Sequence, residues 1–400
     1  MAVTERQTVR WAEDGEDRSA RWRSESGARP PKQVAPADDR TRADAAYTLA
    51  CEGTALLWRG DYVGARQLLT ALTRRVDRPS RGRAQGGGDP AAAFHRHRAR
   101  QAQRARILGM LLVPLEAADG RWTVPLRRAP DVDGACRGAY GPPDAGEPVL
   151  VSLRELLGLI GAHEWHRKGV PVPALGGARV HPCYGVFSPV RGEYVDLVAE
   201  APLPPRAEAL AWDVGTGSGV LAAVLARRGV RHVVATDQDP RALACARENL
   251  DRLVPGGAAS GVVEVVEADL FPAGSRRGAA AAPSLVVCNP PWLPAKPTSA
   301  VERAVYDPGS GMLRAFLEGL PGRLDEDGGE GWLILSDLAE LLGLRTRDDL
   351  LGWIGAAGLR VAGRLDTRPV HRRATAPDPD DPLHAARSAE VTTLWRLTHA

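Results

Sequence analysis

Four consecutive residues, Asn289-Pro290-Pro291-Trp292, have the groups needed to hold a planar nitrogen in place. They follow an apolar run that is typical of a buried strand. Because neither proline has an N–H, the chain cannot continue a sheet ladder and must leave it in an extended, stiff conformation. The Asn289 carboxamide and the Pro290 carbonyl are then two nearby acceptors for an NH2 group, and Trp292 can stack on a planar substrate. Such an arrangement aims the nitrogen lone pair at an electrophile, which is catalysis by positioning.

A glycine-rich run, Asp-Val-Gly-Thr-Gly-Ser-Gly at 213–219, lies between an apolar strand and a helix. At such a turn the backbone can approach a ligand closely, with a helix N-terminus behind it. The dinucleotide fingerprint G-x-G-x-x-G would require glycine or alanine at position 220, where this chain has Val220. The spacing therefore argues against a dinucleotide site.

The pattern Asp-x-Gly-x-Gly-x-Gly resembles motif I of class I S-adenosylmethionine-dependent methyltransferases, in which this loop wraps the methionine part of the cofactor. The resemblance implies S-adenosylmethionine as the cofactor. Asp237 closes the next strand, where a carboxylate can accept both ribose hydroxyls. Asp269 and Leu270 stand where that family usually contacts adenine, so we expect the carboxylate to accept the amine and Leu270 to cover a ring face. The expected cofactor-binding residues are Asp213, Gly215, Thr216, Gly217, Gly219, Asp237, Asp269, Leu270 and Asn289.

The tetrapeptide resembles the (Asn/Asp)-Pro-Pro-(Tyr/Phe/Trp) motif of methyltransferases that act on planar nitrogens, and this resemblance implies catalytic roles for all four residues. Upstream, residues 184–194 resemble the linker that HemK-like release-factor glutamine methyltransferases hold against the cofactor. Phe187, Arg191 and Glu193 are accordingly expected at the border of the substrate or cofactor site. Two departures are visible: that family usually has Tyr where this chain has Trp292, and Arg-Pro-Glu-Thr where this chain has Arg-Gly-Glu.

From about residue 170, short apolar runs alternate with helical segments, the pattern of a parallel sheet. The sequence predicts an α/β domain over 170–400 with a seven-stranded, doubly wound, Rossmann-like methyltransferase sheet. The predicted strands are 208–214, 232–237, 262–269, 284–290, 331–338, 360–368 and 391–400.

The first part of the chain is less regular. Residues 1–43 are polar and charged without apolar periodicity, and they predict a disordered tail. Residues 44–169 carry apolar side chains at three- and four-residue spacing, so we expect a mainly helical domain that recognises the substrate. Within it, residues 74–106 contain ten arginines against two aspartates. Such a run is either a solvated face or a phosphate-binding surface.

Composition limits the classes further. The 400 residues carry a formal net charge of only +3, which points to no partner by itself. The charged N-terminus is unlike a signal peptide, and no apolar stretch approaches the length of a membrane span. The five cysteines are scattered without a CxxC pair, which favours reduced thiols in the cytoplasm. His163 and His166 in HEWH lack the HExxH spacing and a further ligand cluster, so no metal is expected.

These observations predict a two-domain N-methyltransferase. The leading hypothesis is a glutamine N5-methyltransferase that modifies a protein of the translation apparatus. The alternatives are a methyltransferase for a base of rRNA, tRNA or DNA, which residues 74–106 would favour, and a small-molecule N-methyltransferase. The acceptor, the number of methyl groups transferred and the oligomeric state stay open at the level of sequence.

Overall fold

The structure, a computed structural model, describes residues 7–78, 89–144, 146–190, 192–273, 282–297, 301–369 and 381–400. It divides into two compact units. The first comprises Met1–Gly87 and His95–Glu164, and the second comprises Gly88–Phe94 and Trp165–Ala400.

The first unit contains a seven-stranded mixed sheet. Its main order is β1-β2-β7-β5-β4-β3, and β6 pairs with β5. The strands are β1 (Thr8–Glu13), β2 (Glu16–Trp22), β3 (Gln33–Ala37), β4 (Thr54–Trp58), β5 (Leu111–Ala118), β6 (Arg121–Thr123) and β7 (Val149–Ser152). The helices of the first part of the chain are α1 (Ala43–Glu52), α2 (Tyr62–Val76), α3 (Pro90–Leu108), α4 (Asp133–Tyr140) and α5 (Leu153–Lys168).

The prediction of a disordered tail is wrong for the described residues from position 7 onward. Three strands lie within it, and Val9, Trp11 and Trp22 are buried in a cluster with the apolar residues of β4, β5 and β7. Strands β1 and β2 pair as an antiparallel hairpin. The exposed residues of β1 alternate with buried ones, and the first four residues of β2 are exposed and mostly charged, which gives the segment its polar composition.

The expectation of a mainly helical first domain is also wrong. Helices are present in this region, among them α2, α3 and α5, but they accompany a sheet. Residues Thr54–Trp58, which the apolar spacing placed in a helix, form β4 between two parallel neighbours, β3 and β5. Helix α1 ends at Gly53, whose φ of 91° lies in the left-handed region, and the strand begins directly after it.

The second unit contains the sheet that the sequence predicts. Its strands run in the order β12-β11-β10-β13-β14-β16-β15, the first five parallel and β16 antiparallel to both its neighbours. Its strands are β8 (Val170–Pro171), β9 (Arg179–Val180), β10 (Ala211–Val214), β11 (Val233–Asp237), β12 (Val263–Glu267), β13 (Leu285–Cys288), β14 (Glu330–Ser336), β15 (Leu359–Thr367) and β16 (Thr392–His399), of which β8 and β9 form a separate pair. The α/β, doubly wound fold class is confirmed.

The helices of this unit cover the sheet. They are α6 (Glu193–Glu200), α7 (Val220–Arg227), α8 (Pro240–Leu253), α9 (Gly311–Gly319), α10 (Leu338–Leu341), α11 (Arg347–Ala356) and α12 (His384–Ala389). Helices α6, α7 and α8 contribute to one buried cluster, and α9 and α11 contribute to another. In the part of the chain that the structure describes, no helix is both long and apolar enough to cross a bilayer.

The register of the central strands brings three loops to one edge of the sheet. Val214 at the end of β10 pairs with Thr236 of β11 on one side and with Cys288 of β13 on the other. The chain order reverses at β10, and doubly wound sheets bind ligands in the crevice at such a switch point, beyond the carboxyl ends of the strands. The predicted glycine loop, Asp237 and the Asn-Pro-Pro-Trp segment all begin at this edge.

Candidate active site

The glycine loop is shaped by a buried carboxylate beneath it. Asp213 is 1% exposed, and its Oδ2 accepts hydrogen bonds from the Thr216 hydroxyl at 2.6 Å and the Ala222 N–H at 3.0 Å. Burial raises the pKa of Asp213 to about 6. The carboxylate is not among the described residues that line the cavity. Asp213, expected to bind the cofactor, therefore positions the loop.

The three glycines of the loop share a backbone conformation, and two of them have distinct surroundings. All have positive φ, 72° at Gly215, 55° at Gly217 and 79° at Gly219, so each favours glycine. A Cβ on Gly217 would meet no atom within 4 Å, and this residue lines the cavity. A Cβ on Gly219 would lie 3.1 Å from Leu250 Cγ, so that glycine permits close packing of α7 on α8.

The loops at this edge of the sheet line a cavity of about 910 Å³. This volume lies at the upper end of the range for small-molecule and cofactor sites. Residues from the glycine loop, the end of β11, the end of β12, the Asn-Pro-Pro-Trp segment and α9 line it. Of the residues expected at the site, it is lined by Phe187, Gly215, Thr216, Gly217, Asp237, Asp269, Leu270, Asn289, Pro290, Pro291 and Trp292.

Asp237 faces the cavity with part of its hydrogen-bonding capacity unused by the backbone. Its Oδ2 accepts the Gly217 N–H and its Oδ1 accepts the Asp239 N–H, both at 3.0 Å. Burial raises the pKa of this carboxyl. The Gln238 backbone is a further hydrogen-bond partner of this carboxylate. A carboxylate has about four lone-pair sites, so one remains for a ligand hydroxyl. The neighbouring Asp239 caps α8 by accepting the Arg241 N–H.

The end of β12 supplies a polar and an apolar group to the same cavity. Asp269 is exposed at its rim. Leu270 has a φ of 67°, a conformation that is uncommon for leucine, and the Thr236 hydroxyl donates to its carbonyl at 2.5 Å. This hydrogen bond holds the turn that presents both side chains to the cavity.

The Asn-Pro-Pro-Trp segment has an internal hydrogen bond that sequence reasoning missed. The Trp292 indole Nε1 donates to Asn289 Oδ1 at 2.8 Å. The bond fixes which end of the Asn289 carboxamide is the oxygen, because an indole N–H needs an acceptor. The second lone pair of Oδ1 can therefore accept a hydrogen bond from the NH2 group of a substrate. Trp292, expected to stack on the substrate, thus also orients Asn289.

The chain beyond Trp292 is held by pairing with residues 305–307. Leu293 N donates to the Val305 carbonyl at 3.1 Å, and Asp307 N donates to the Leu293 carbonyl at 2.8 Å. The buried Asp307 carboxylate accepts the Met312 and Leu313 N–H groups at the start of α9. Met312 and Val305 line the cavity, and sequence reasoning missed them. The Asp-Pro-Gly-Ser-Gly run at 307–311 is a helix-start signal that could have indicated this wall.

The linker expected against the cofactor is only partly at the cavity. Phe187 lines it, as do Gly185 and the buried Tyr194, which sequence reasoning did not select. Glu193 begins α6 and is not among the described residues of the cavity wall. Arg191 lies outside the described residues.

Two other residues noted in the sequence have different surroundings. The ring of His163 lies so close to Gly134 that a Cβ there would be 2.8 Å from Nε2. His166 lies near Cys183 and Glu248 instead of joining His163.

The donor set fits S-adenosylmethionine. Gly217 leaves room beside the loop, Asp237 offers an acceptor for a ribose hydroxyl, and Leu270 offers an apolar surface for a ring. The fold and the site resemble those of Rossmann-like, S-adenosylmethionine-dependent methyltransferases. Residues 179–313 match the family described as methyltransferase small domain.

Curated proteins that are similar in sequence are named as methyltransferases. The chain is 34% identical over 204 residues to a release factor glutamine methyltransferase of Cereibacter sphaeroides, covering 49% of this chain and 65% of the relative. It is 32% identical over 130 residues to a ribosomal protein L11 methyltransferase of Geobacter metallireducens, covering 28% of this chain and 42% of the relative. The chain thus spans less than two thirds of the length of either relative.

Solved structures with similar folds include the ribosomal protein L11 methylase of Lactobacillus delbrueckii subsp. bulgaricus. It is 16% identical, with a TM-score of 0.33, and the match covers 56% of this chain and 86% of that chain. A putative RNA methyltransferase of Pyrococcus horikoshii is 17% identical, with a TM-score of 0.36, over 59% of this chain and 99% of that chain.

Proposed function

We propose that this protein transfers a methyl group from S-adenosylmethionine to the side-chain amide nitrogen of a glutamine in a protein of the translation apparatus. The observation that carries the proposal is the placement of Asn289 and Pro290 in the same cavity as the glycine loop and Asp237. Their oxygens suit a planar NH2 group, which is the group that a glutamine side chain offers. The free thiols of all five cysteines favour the cytoplasm as its location.

The residues of the cavity would act by binding and orientation. S-adenosylmethionine supplies, when bound, a methyl group already activated by a positively charged sulfur. Asn289 Oδ1 and the Pro290 carbonyl would each accept one hydrogen of the acceptor amide and so direct its lone pair toward the glycine loop. Asp237 would hold the ribose. Because the methyl group is activated, the nitrogen can lose its proton to water without a strong base among these residues.

The glutamine hypothesis draws its support from two further features. The order of linker, glycine loop and Asn-Pro-Pro segment resembles that of the HemK-like enzymes, and a release factor glutamine methyltransferase is a 34% identical relative. The relatives whose names mention ribosomal protein L11 point to the same apparatus with another acceptor.

A labelling experiment tests the acceptor class. Cell extract is incubated with the purified protein and methyl-labelled S-adenosylmethionine, and portions are then treated with protease or nuclease. Protease should release the label, and peptide mass spectrometry should find one added methyl group on a glutamine. Label released by nuclease instead, or recovered only in small molecules, would refute the glutamine assignment.

The second candidate is a methyltransferase for a nucleic-acid base. Helix α3 favours it, because it exposes Arg96 and Arg100 and contains few acidic residues. Exposed arginines of this kind can contact phosphates. A planar exocyclic amine of a base would fit the same two oxygens, and a base in a duplex would have to be extruded to reach them.

A further inference from the structure

Three side chains outside the cavity form a cluster with the composition of a metal site. His166 lies in the last turn of α5, Cys183 follows β9, and Glu248 lies on α8. One ligand atom from each lies within 4.8 Å of the other two. His166 Nδ1 is 3.8 Å from Cys183 Sγ, and Glu248 Oε2 is 3.9 Å from the same sulfur.

These separations are close to those of a tetrahedral zinc site. With Zn–S of about 2.3 Å and Zn–N or Zn–O of about 2.0–2.1 Å, two ligand atoms at the tetrahedral angle lie about 3.5 Å apart. The two distances to the Cys183 sulfur, 3.8 and 3.9 Å, thus exceed this separation by only a few tenths of an ångström. A thiolate, an imidazole and a carboxylate together suit zinc better than the oxygen-seeking magnesium or calcium.

Neighbouring groups hold the three ligands in place. Arg252 Nη2 donates to Glu248 Oε1 at 2.6 Å, which leaves Oε2 directed at the sulfur. The Cys183 N–H donates to Cys245 Sγ at 3.2 Å, and the His166 carbonyl is 2.6 Å from His181 Nδ1. Partners of this kind orient metal ligands and raise the affinity of a site.

We propose that His166, Cys183 and Glu248 bind one zinc ion, with water as the fourth ligand. Binding would release the Cys183 thiol proton to solvent, because zinc binds the thiolate. No metal was expected from the sequence, because His163 and His166 lie along one helix without the spacing of a metal motif. The ligands come instead from three separated segments.

The position of the cluster gives the ion a structural task beside the cofactor. Cys183 lies two residues before Gly185, which lines the cavity, and Glu248 lies on α8, whose residues Pro240 and Ala242 line it as well. A zinc ion would tie these two walls together. Removal of the ion should therefore weaken cofactor binding without removing any group that contacts the cofactor.

Metal titration of the full-length, reduced protein tests the proposal. Zinc chloride should bind at one ion per chain, and cobalt(II) chloride should give the near-ultraviolet absorption of a thiolate–cobalt bond. Cys183→Ser should abolish that band, and His166→Asn and Glu248→Gln should each lower zinc affinity at least about tenfold. The matched controls His163→Asn and Cys51→Ser should keep the stoichiometry and affinity of the wild type.

Thermal unfolding separates loss of the site from loss of the fold. In the presence of chelator, Cys183→Ser should unfold at the wild-type temperature, and zinc should raise the midpoint of the wild type alone. No zinc binding by the wild type, or unchanged binding and cobalt spectrum in Cys183→Ser, would overturn the proposal. The readouts do not involve methyl transfer, so the zinc site and the proposed function can fail separately.

Discussion

At the scale of single residues, the proposed chemistry depends on one carboxamide and on what orients it. Asn289 accepts the Trp292 N–H and has one lone pair left on the same oxygen. Cys288 directly before it is fully buried, and burial raises the pKa of its thiol, so it is suited to packing and not to nucleophilic attack. The reacting group is thus positioned by its neighbours along the chain.

Asn289→Ala should abolish most methyl transfer while leaving cofactor affinity nearly unchanged. We expect kcat to fall at least about 100-fold, the scale seen when one oriented polar group is removed from an active site. Calorimetry with S-adenosylmethionine supplies the second readout. Asp237→Ala is the matched variant, and here the affinity for the cofactor should fall. We expect its Kd for S-adenosylmethionine to rise about tenfold or more. Normal turnover by Asn289→Ala would contradict the assigned role.

Trp292→Phe should separate the orienting role of the indole N–H from the stacking role of the ring. The substitution keeps an aromatic ring but removes the donor to Asn289 Oδ1. We expect kcat to fall about tenfold, the value of one hydrogen bond, with KM for the acceptor little changed. A large rise in KM at unchanged kcat would indicate that the ring acts by stacking alone.

At the scale of elements, the glycine loop depends on the carboxylate buried under it. Asp213 lies in β10, all of whose residues are buried, and it accepts hydrogen bonds from Thr216 and from the first turn of α7. It joins strand, loop and helix at the edge where the cofactor is expected. This arrangement destabilises the folded protein when the carboxylate is ionised, because the charge is held away from water.

The pH dependence of stability should reveal this destabilisation. The pKa of Asp213 is raised from 3.8 to about 6, so the folded state binds the proton more tightly than the unfolded state. Its contribution to folding is therefore most favourable below pH 4 and is lost as pH rises through 6. The free energy of unfolding of Asp213→Asn, relative to that of the wild type, should therefore rise by up to about 3 kcal/mol between pH 4 and pH 7. Denaturant unfolding at both pH values measures this difference, and a pH-independent difference would contradict the assignment.

At the scale of the whole molecule, the charge is divided unevenly. Residues 1–106 carry 21 basic and 13 acidic side chains, although the chain as a whole is nearly neutral. Some of this charge is already paired, as in the contact of Arg104 with Asp77 at 2.8 Å. Arg96 and Arg100 of α3 remain exposed.

Charge reversal on α3 should decide whether this helix contacts RNA. If Arg96 and Arg100 bind phosphates, the double variant Arg96→Glu/Arg100→Glu should weaken RNA binding and reduce the salt dependence of log K by about 1.5–2. Arg10→Glu/Arg18→Glu, on exposed positions of β1 and β2, is the matched control. Equal behaviour of the two variants in filter-binding assays would leave α3 as a solvated face.

The fold of the second unit could be predicted from the sequence because the patterns that indicate its strands and turns are local. Its central strands are buried on both faces and appear as short apolar runs, such as Leu285–Cys288. Glycines and prolines mark where the chain must turn, and the parallel order brings those turns to one edge. The fold class follows from such features, and so does the part of the cavity wall that the glycine loop, Asp237 and Asn289–Trp292 form.

The first unit could not be read in this way because its strands have one exposed face. In β1, Val9 and Trp11 are buried, whereas Thr8, Arg10 and Ala12 are exposed. Averaged over the segment, the composition is polar, which is typical of disorder. Asp14-Gly15, both with positive φ, was an available hairpin signal between two short alternating strands. Residues Thr54–Trp58 form a strand because β3 and β5 pair with them, and that pairing is not local.

The class of chemistry could be predicted from the chain alone, because the residue types and spacings of the glycine loop and of Asn289–Trp292 are contiguous. Which of these residues face the cavity depends on the packing of the folded chain. It placed Asp213 beneath the loop, Gly219 against α8 and Trp292 against Asn289. It also brought His166, Cys183 and Glu248 together from three segments, because contacts between distant residues depend on packing that no local pattern records.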